Sequence, residues 1–143
     1  MDYTILAQEE LRLLPQLEFA VRSIEFEVKE INLEMHRTKG GFSLEPIAAR
    51  GTRTAEDKLV TLISRKDELL LRKKQLNLRL RRLNGALDTL DELLREIITR
   101  QFTRNQRIED IFGDLSIEKS TFYRLRSEAM EAFTRALYGV IKT

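Results

Sequence analysis

Seven apolar residues, Leu14, Leu17, Val21, Ile24, Val28, Ile31 and Met35, are spaced alternately by three and four. That repeat gives a helix one continuous apolar stripe, to be buried along another helix. A second series continues the same spacing: Ala55, Leu59, Leu62, Lys66, Leu69, Lys73, Leu76, Leu80, Leu83, Leu87, Leu90, Leu94 and Ile97. Two such series predict an all-α chain built on a long antiparallel helical hairpin of coiled-coil character. The first helix is expected to end near His36. The second is expected to start at Thr54, an N-cap residue ahead of the acidic turn Ala55-Glu56-Asp57. Lys66 and Lys73 are costly to bury in a seam, so they either snorkel to water or set the register.

Charge selects the pairing. Residues 1 to 36 carry 3 basic and 8 acidic side chains, net −5, and residues 55 to 87 carry 9 basic and 4 acidic, net +5. Opposite signs favour these two helices as partners, each exposed ion pair adding about 0.3–0.5 kcal/mol. Two helices alone leave Phe19, Phe26, Leu33, Leu70, Leu71 and Leu78 poorly covered, which predicts a homo-oligomer, a dimer or higher. The connector, residues 37 to 54, holds three of the six glycines and one of the two prolines, with 4 basic side chains against 1 acidic. It reads as an irregular solvated loop or, functionally, as a basic arm for phosphates or a partner protein. Asn84-Gly85, two poor helix formers, marks the expected boundary between an oligomerisation region, 1–85, and a second domain, 86–143.

Within that second domain the string from Arg107 to Arg126 carries apolar residues at Ile108, Ile111, Leu115, Ile117, Phe122 and Leu125. The spacing gives a short helix, a three- to four-residue turn and a second helix packed across it. The free face of the second helix then presents Lys119, Ser120, Thr121, Tyr123, Arg124 and Ser127, side chains able to donate to phosphates and base edges, with Arg104 and Arg107 ahead of the unit. Any short amphipathic helix pair shows the same periodicity without touching DNA. Three positions also depart from the common helix-turn-helix pattern: Phe112, where Ala or Gly is frequent; Ser116, where Gly is frequent; and Glu118, where a small polar N-cap is frequent. Leu125, Ala129, Phe133, Ala136, Leu137 and Val140 extend the apolar stripe, so the last helix is expected to be long and to pack on the segment 88–102.

The run Leu115-Ser-Ile-Glu-Lys-Ser-Thr-Phe-Tyr-Arg-Leu-Arg-Ser-Glu-Ala129 resembles the C-terminal motif of the ArpU/RinA family of phage late-gene transcriptional regulators. The likeness covers roughly residues 88 to 138 and is sharpest at Thr121-Phe-Tyr-Arg124 and Ala129. It implies a helix-turn-helix similar to region four of sigma factors. Leu90 to Phe102 would then be the acidic and apolar helix that precedes it and a candidate surface for RNA polymerase. The implied partner is double-stranded DNA, and the implied location is the cytoplasm of a bacterial host.

Electrostatics tempers that expectation, because residues 88 to 143 hold 9 basic and 10 acidic side chains, net −1. A strong nonspecific DNA binder is more basic. The basic groups Arg100, Arg104, Arg107, Lys119, Arg124 and Arg126 would have to act as one local footprint. Other classes find little support. The chain has no Cys and a single His, and neither a phosphate-binding glycine loop nor a dinucleotide fingerprint occurs, so no enzyme activity, cofactor or metal is expected. No apolar run approaches the roughly 20 residues of a membrane span, and the start Met-Asp-Tyr-Thr lacks a secretory leader's basic region. Two functions from different classes remain. One is a sequence-specific DNA-binding transcriptional regulator of phage or prophage type, acting on late or packaging genes. The other is a coiled-coil phage assembly or DNA-packaging protein, similar in kind to a small terminase, without promoter specificity.

Overall fold

A computed structural model describes residues 1–44 and 49–140 of the chain, and they are all-helical. The helices are α1 (Tyr3–Leu44), α2 (Ala49–Asp88), α3 (Glu92–Ile98), which runs into a π-helical turn at Thr99–Thr103, α4 (Ile108–Asp114) and α5 (Lys119–Tyr138). No helix among the described residues is long and apolar enough to cross a membrane. The chain forms two compact units, residues 19–77 and residues 1–18 with 78–140.

In the unit 19–77 the expected stripes meet. Ile24, Ile31 and Leu69 are buried, with Val28, Met35, Leu62 and Leu76 packed around them. Three ion pairs flank this seam, Glu25 with Lys73 at 3.8 Å, Glu27 with Arg65 at 3.1 Å and Glu34 with Lys58 at 2.5 Å. Ascending numbers on α1 meet descending numbers on α2, so the two segments are antiparallel. Lys73 lies at a seam position and turns its ammonium out to Glu25, the snorkelling that a long alkyl stem permits. Hydrogen bonding to Lys58, and then its charge, holds the Glu34 carboxyl below the ordinary carboxylate value.

The other unit is a thicker helical core. Leu11, Leu83, Ile97, Ile98, Ile111, Phe122 and Phe133 are almost wholly removed from water, and α3 packs on α5. Two devices close it. Pro15 lies inside α1 and has no N–H to give the carbonyl of Leu11, four residues before it. The Thr103 hydroxyl, on the π turn, donates to that oxygen at 3.1 Å. The end of α5 is closed by Gly139, in the left-handed region at φ 80°, whose N–H donates to the Arg135 carbonyl at 2.8 Å. Arg82 donates to the Leu137 carbonyl at 2.8 Å and lies over the Tyr138 ring.

Several expected boundaries move. Residues 37–44 belong to α1 and 49–54 to α2, so the connector read as a loop over 37–54 is helical there; 45–48 lie outside the described residues. A helix already nucleated and packed gains a hydrogen bond for each residue added. That gain outlasts Gly40 and Gly41, which cost about 1 kcal/mol each, and it carries α2 upstream of the N-cap pattern at Thr54. Asn84-Gly85 likewise lies inside α2, between the buried Leu83 and the buried Ala86 and Leu87. The break comes at Thr89–Asp91, where the Thr89 hydroxyl and N–H both donate to the Ala86 carbonyl and turn the chain. Ala136 on α5 and Val140 beyond its Gly139 cap are exposed, while Met130 and Thr134 are buried in their stead. Thr134 satisfies its hydroxyl by donating to the Met130 carbonyl at 2.6 Å.

Candidate nucleic-acid interface

The segment from α4 to α5 is organised by its turn. At the end of α4 the Ser116 N–H donates to the Gly113 carbonyl at 3.2 Å and the Ile117 N–H to the Phe112 carbonyl at 3.1 Å. This paired closure needs a left-handed residue between the two donors' carbonyls and the next helix, and Ser116 supplies it at φ 56°. A serine there bears the steric cost that glycine would avoid. Glu118 is the N-cap of α5, in extended conformation and without a side-chain capping bond. The first full turn of α5 forms as the Phe122 N–H donates to the Glu118 carbonyl at 2.9 Å.

Packing then decides which side chains remain outside. Ile111 and Phe122 are fully buried, and the half-buried Phe112 ring lies 6.1 Å from Phe122. With Phe122 inward, Lys119, Ser120, Tyr123, Arg124 and Ser127 are exposed and Thr121 is half-buried. Tyr123 is 37% exposed, its ring edge-on to Phe122 and under the Arg126 guanidinium at 4.8 Å. Arg126 is thereby laid along the aromatic surface.

Most of the basic groups already have acidic neighbours. Arg124 meets Glu128 at 3.3 Å, one helical turn on. Arg104 lies 3.9 Å from Glu96, Arg107 lies 3.9 Å from Glu109, and Arg100 reaches both Glu96 and Asp114. Among the described residues Lys119 is in no ion pair. The candidates also fall into separate hollows. Arg107 lines one with Arg12, Gln101, Asn105 and Gln106, whereas Ser127 and Arg126 line another with Asp2, Thr4, Gln8 and Glu131. No hydrogen bond or ion pair among the described residues joins Arg104 or Arg107 to the α5 set. The aromatic support of Arg126 by Tyr123 and Phe122, three and four residues before it, and the reach of Arg104 to Glu96, eight residues back, lie at helical spacings that the sequence reading passed over. The Arg124 pair, at i and i+4, is a spacing that a charge count alone passes over. No family model, curated protein or solved structure matches the chain.

Proposed function

We propose that the chain is a DNA-binding transcriptional regulator, resembling the ArpU/RinA phage regulators, in which α4, the Ser116 turn and α5 form a helix-turn-helix. The observation that carries this reading is the pairing of a left-handed turn at Ser116 with a fully buried Phe122, which leaves the opening turns of α5 to present Lys119, Ser120, Tyr123 and Arg124 outward. Lys119 and Arg124 suit phosphate or the acceptor edge of guanine, and Ser120 and Tyr123 suit either. The Arg124 pair with Glu128 is solvent-exposed and worth at most about 1 kcal/mol, so exchange of the carboxylate for a phosphate is inexpensive.

The near-neutral charge of this region sets the expected character of binding: moderate affinity, falling with salt, and strengthened when several copies engage neighbouring sites. The acidic residues Asp91 and Glu92, both exposed on or beside α3, offer a surface to RNA polymerase. A second reading, an assembly or packaging protein, is favoured by one observation, the apolar side chains left in water at Phe19, Phe26 and Leu33.

The test is retention of host and phage genome fragments by the purified protein, beside a Lys119→Ala/Arg124→Ala variant of unchanged helicity. Enrichment of a discrete promoter-like site by the wild type, lost in the variant, is the expected result. Equal retention of all fragments by both proteins, or of none, overturns the regulator in favour of the assembly protein.

A further inference from the structure

The unit 19–77 carries a second stripe on each helix. On α1, Phe19, Arg22, Phe26, Lys29 and Leu33 repeat the spacing of three and four. At 3.6 residues per turn the three apolar members lie about 150–190° around the helix from Val21 and Ile24. On α2, Asp57, Val60, Ser64, Asp67, Leu71 and Lys74 do the same relative to Leu69. The apolar members are open to water, Phe19 at 65%, Phe26 at 66%, Leu33 at 52%, Val60 at 63% and Leu71 at 59%. Scattered apolar residues need no explanation, but Phe19, Phe26 and Leu33 at heptad spacing on α1 are the pattern of a coiled-coil contact, and the α2 row answers it with Val60 and Leu71 among polar positions.

The polar positions say what fits. The pairs inside the unit engage Glu25, Glu27 and Glu34 of α1 with Lys73, Arg65 and Lys58 of α2. What remains in the outer rows has the opposite sense: Arg22 and Lys29 on α1, Asp57 and Asp67 on α2. Among the described residues none of these four is in an ion pair. Glu30 flanks the α1 row and Lys74 ends the α2 row, so the complementarity is of the row and not of every position. Two α1 rows face to face would set arginine and lysine against their own kind.

We infer that the occupant of each outer row is a second copy of this chain, the α1 row of one copy seated on the α2 row of the next. Such a contact is head-to-tail. Each copy binds one neighbour through α1 and another through α2, and the series closes into a ring or runs on as a filament.

The full chain, sedimented without DNA, separates this arrangement from a symmetric one and from the DNA reading alike. Phe26→Asp spoils only the α1 row and Leu71→Asp only the α2 row, both at exposed positions where helicity by circular dichroism should hold. The wild type is expected as an assembly of several chains, and each variant alone as single chains. An equimolar mixture is expected as a pair of chains, formed by the intact α1 row of one variant and the intact α2 row of the other. A wild type of single chains, an assembled variant or a mixture that fails to pair overturns the inference; an α1-to-α1 contact, for example, leaves Leu71→Asp assembled. If an aspartate unfolds its unit, Arg22→Glu/Lys29→Glu and Asp57→Lys/Asp67→Lys give the same reading. Neither of these assembles alone, and mixing them restores assembly; failure to restore it counts against the proposal.

Discussion

The two units reach stability by different means. Among the described residues, seventeen buried apolar side chains belong to 1–18 with 78–140, and four, Val21, Ile24, Ile31 and Leu69, belong to 19–77. In the first unit, where α3 and α4 pack on α5, Phe122 and Phe133 are wholly removed from water. In the second, two helices meet along a single line, and a line cannot enclose a ring. The difference teaches that the pair holds itself with a narrow seam and charges and, among the described residues, leaves the rings of Phe19 and Phe26 outside.

The sharpest way to break that contrast is to hollow out each core. Phe133→Ala should cost about 3–5 kcal/mol, the range for a fully enclosed phenylalanine. Leu69→Ala, at a seam with half-open neighbours, should fall at the low end of the leucine range, about 2–3 kcal/mol. Hydrogen exchange resolved by segment keeps the two units apart, with protection lost around Leu83, Ile97 and Phe122 in the first case and around Ile24 and Leu62 in the second. Equal or reversed costs would show that the seam is as well packed as the thicker core.

A smaller effect probes how the thick unit tolerates an imperfect helix. Pro15 leaves the Leu11 carbonyl without its helical donor, and Thr103 supplies one. Thr103→Val should cost about 1 kcal/mol, a typical net hydrogen bond, or more if the carbonyl stays dry. In a Pro15→Ala background the helix can make its own bond, and the same change should cost less. Urea melts of the four proteins form the cycle; additive costs would show that Thr103 contributes by packing alone.

Legibility in the sequence follows the same division. The heptads predicted the seam residues Ile24, Ile31 and Leu69 and the uncovered Phe19, Phe26 and Leu33, because period and amphipathicity are local properties of a string. The exposed side of α5 was also readable, since the burial of Phe122 follows from its spacing with Ile111 and Leu115. Helix ends were not. Gly40, Gly41 and Asn84-Gly85 looked like breaks, yet a glycine costs less than a packed helix gains by continuing. Nor were the long-range partners readable: Thr103 with Leu11 and Arg82 with Leu137 join residues with no periodic relation.

At the turn, sequence and structure meet on one residue. Ser116 occupies a left-handed conformation, and it stands where many helix-turn-helix units have glycine. Ser116→Gly removes the steric cost in the folded state while freeing the unfolded chain, so the net gain should be about 0.5–1 kcal/mol. A loss in thermal melts would mean that the serine side chain contributes something that the backbone geometry does not reveal. DNA affinity should be unchanged, because the turn closes with the same backbone bonds.

The smallest effect belongs to the charges of the thin unit. The Glu34 carboxyl is held below its ordinary 4.5 by Lys58. A carboxylate whose folded value is depressed adds stability that is present above the unfolded value and is lost as pH falls through the folded one. The wild type should therefore lose stability between neutral pH and the region below 4.5 by slightly more than Glu34→Gln does, and the gap should close at the acid end. The group is exposed, so salt should shrink the same gap at neutral pH. Thermal melts of both proteins across that range measure it directly. A gap that persists in acid, where both side chains are neutral on the same alkyl stem, would show that the Lys58 charge pair is not its source and leave the apolar seam as what holds α1 to α2.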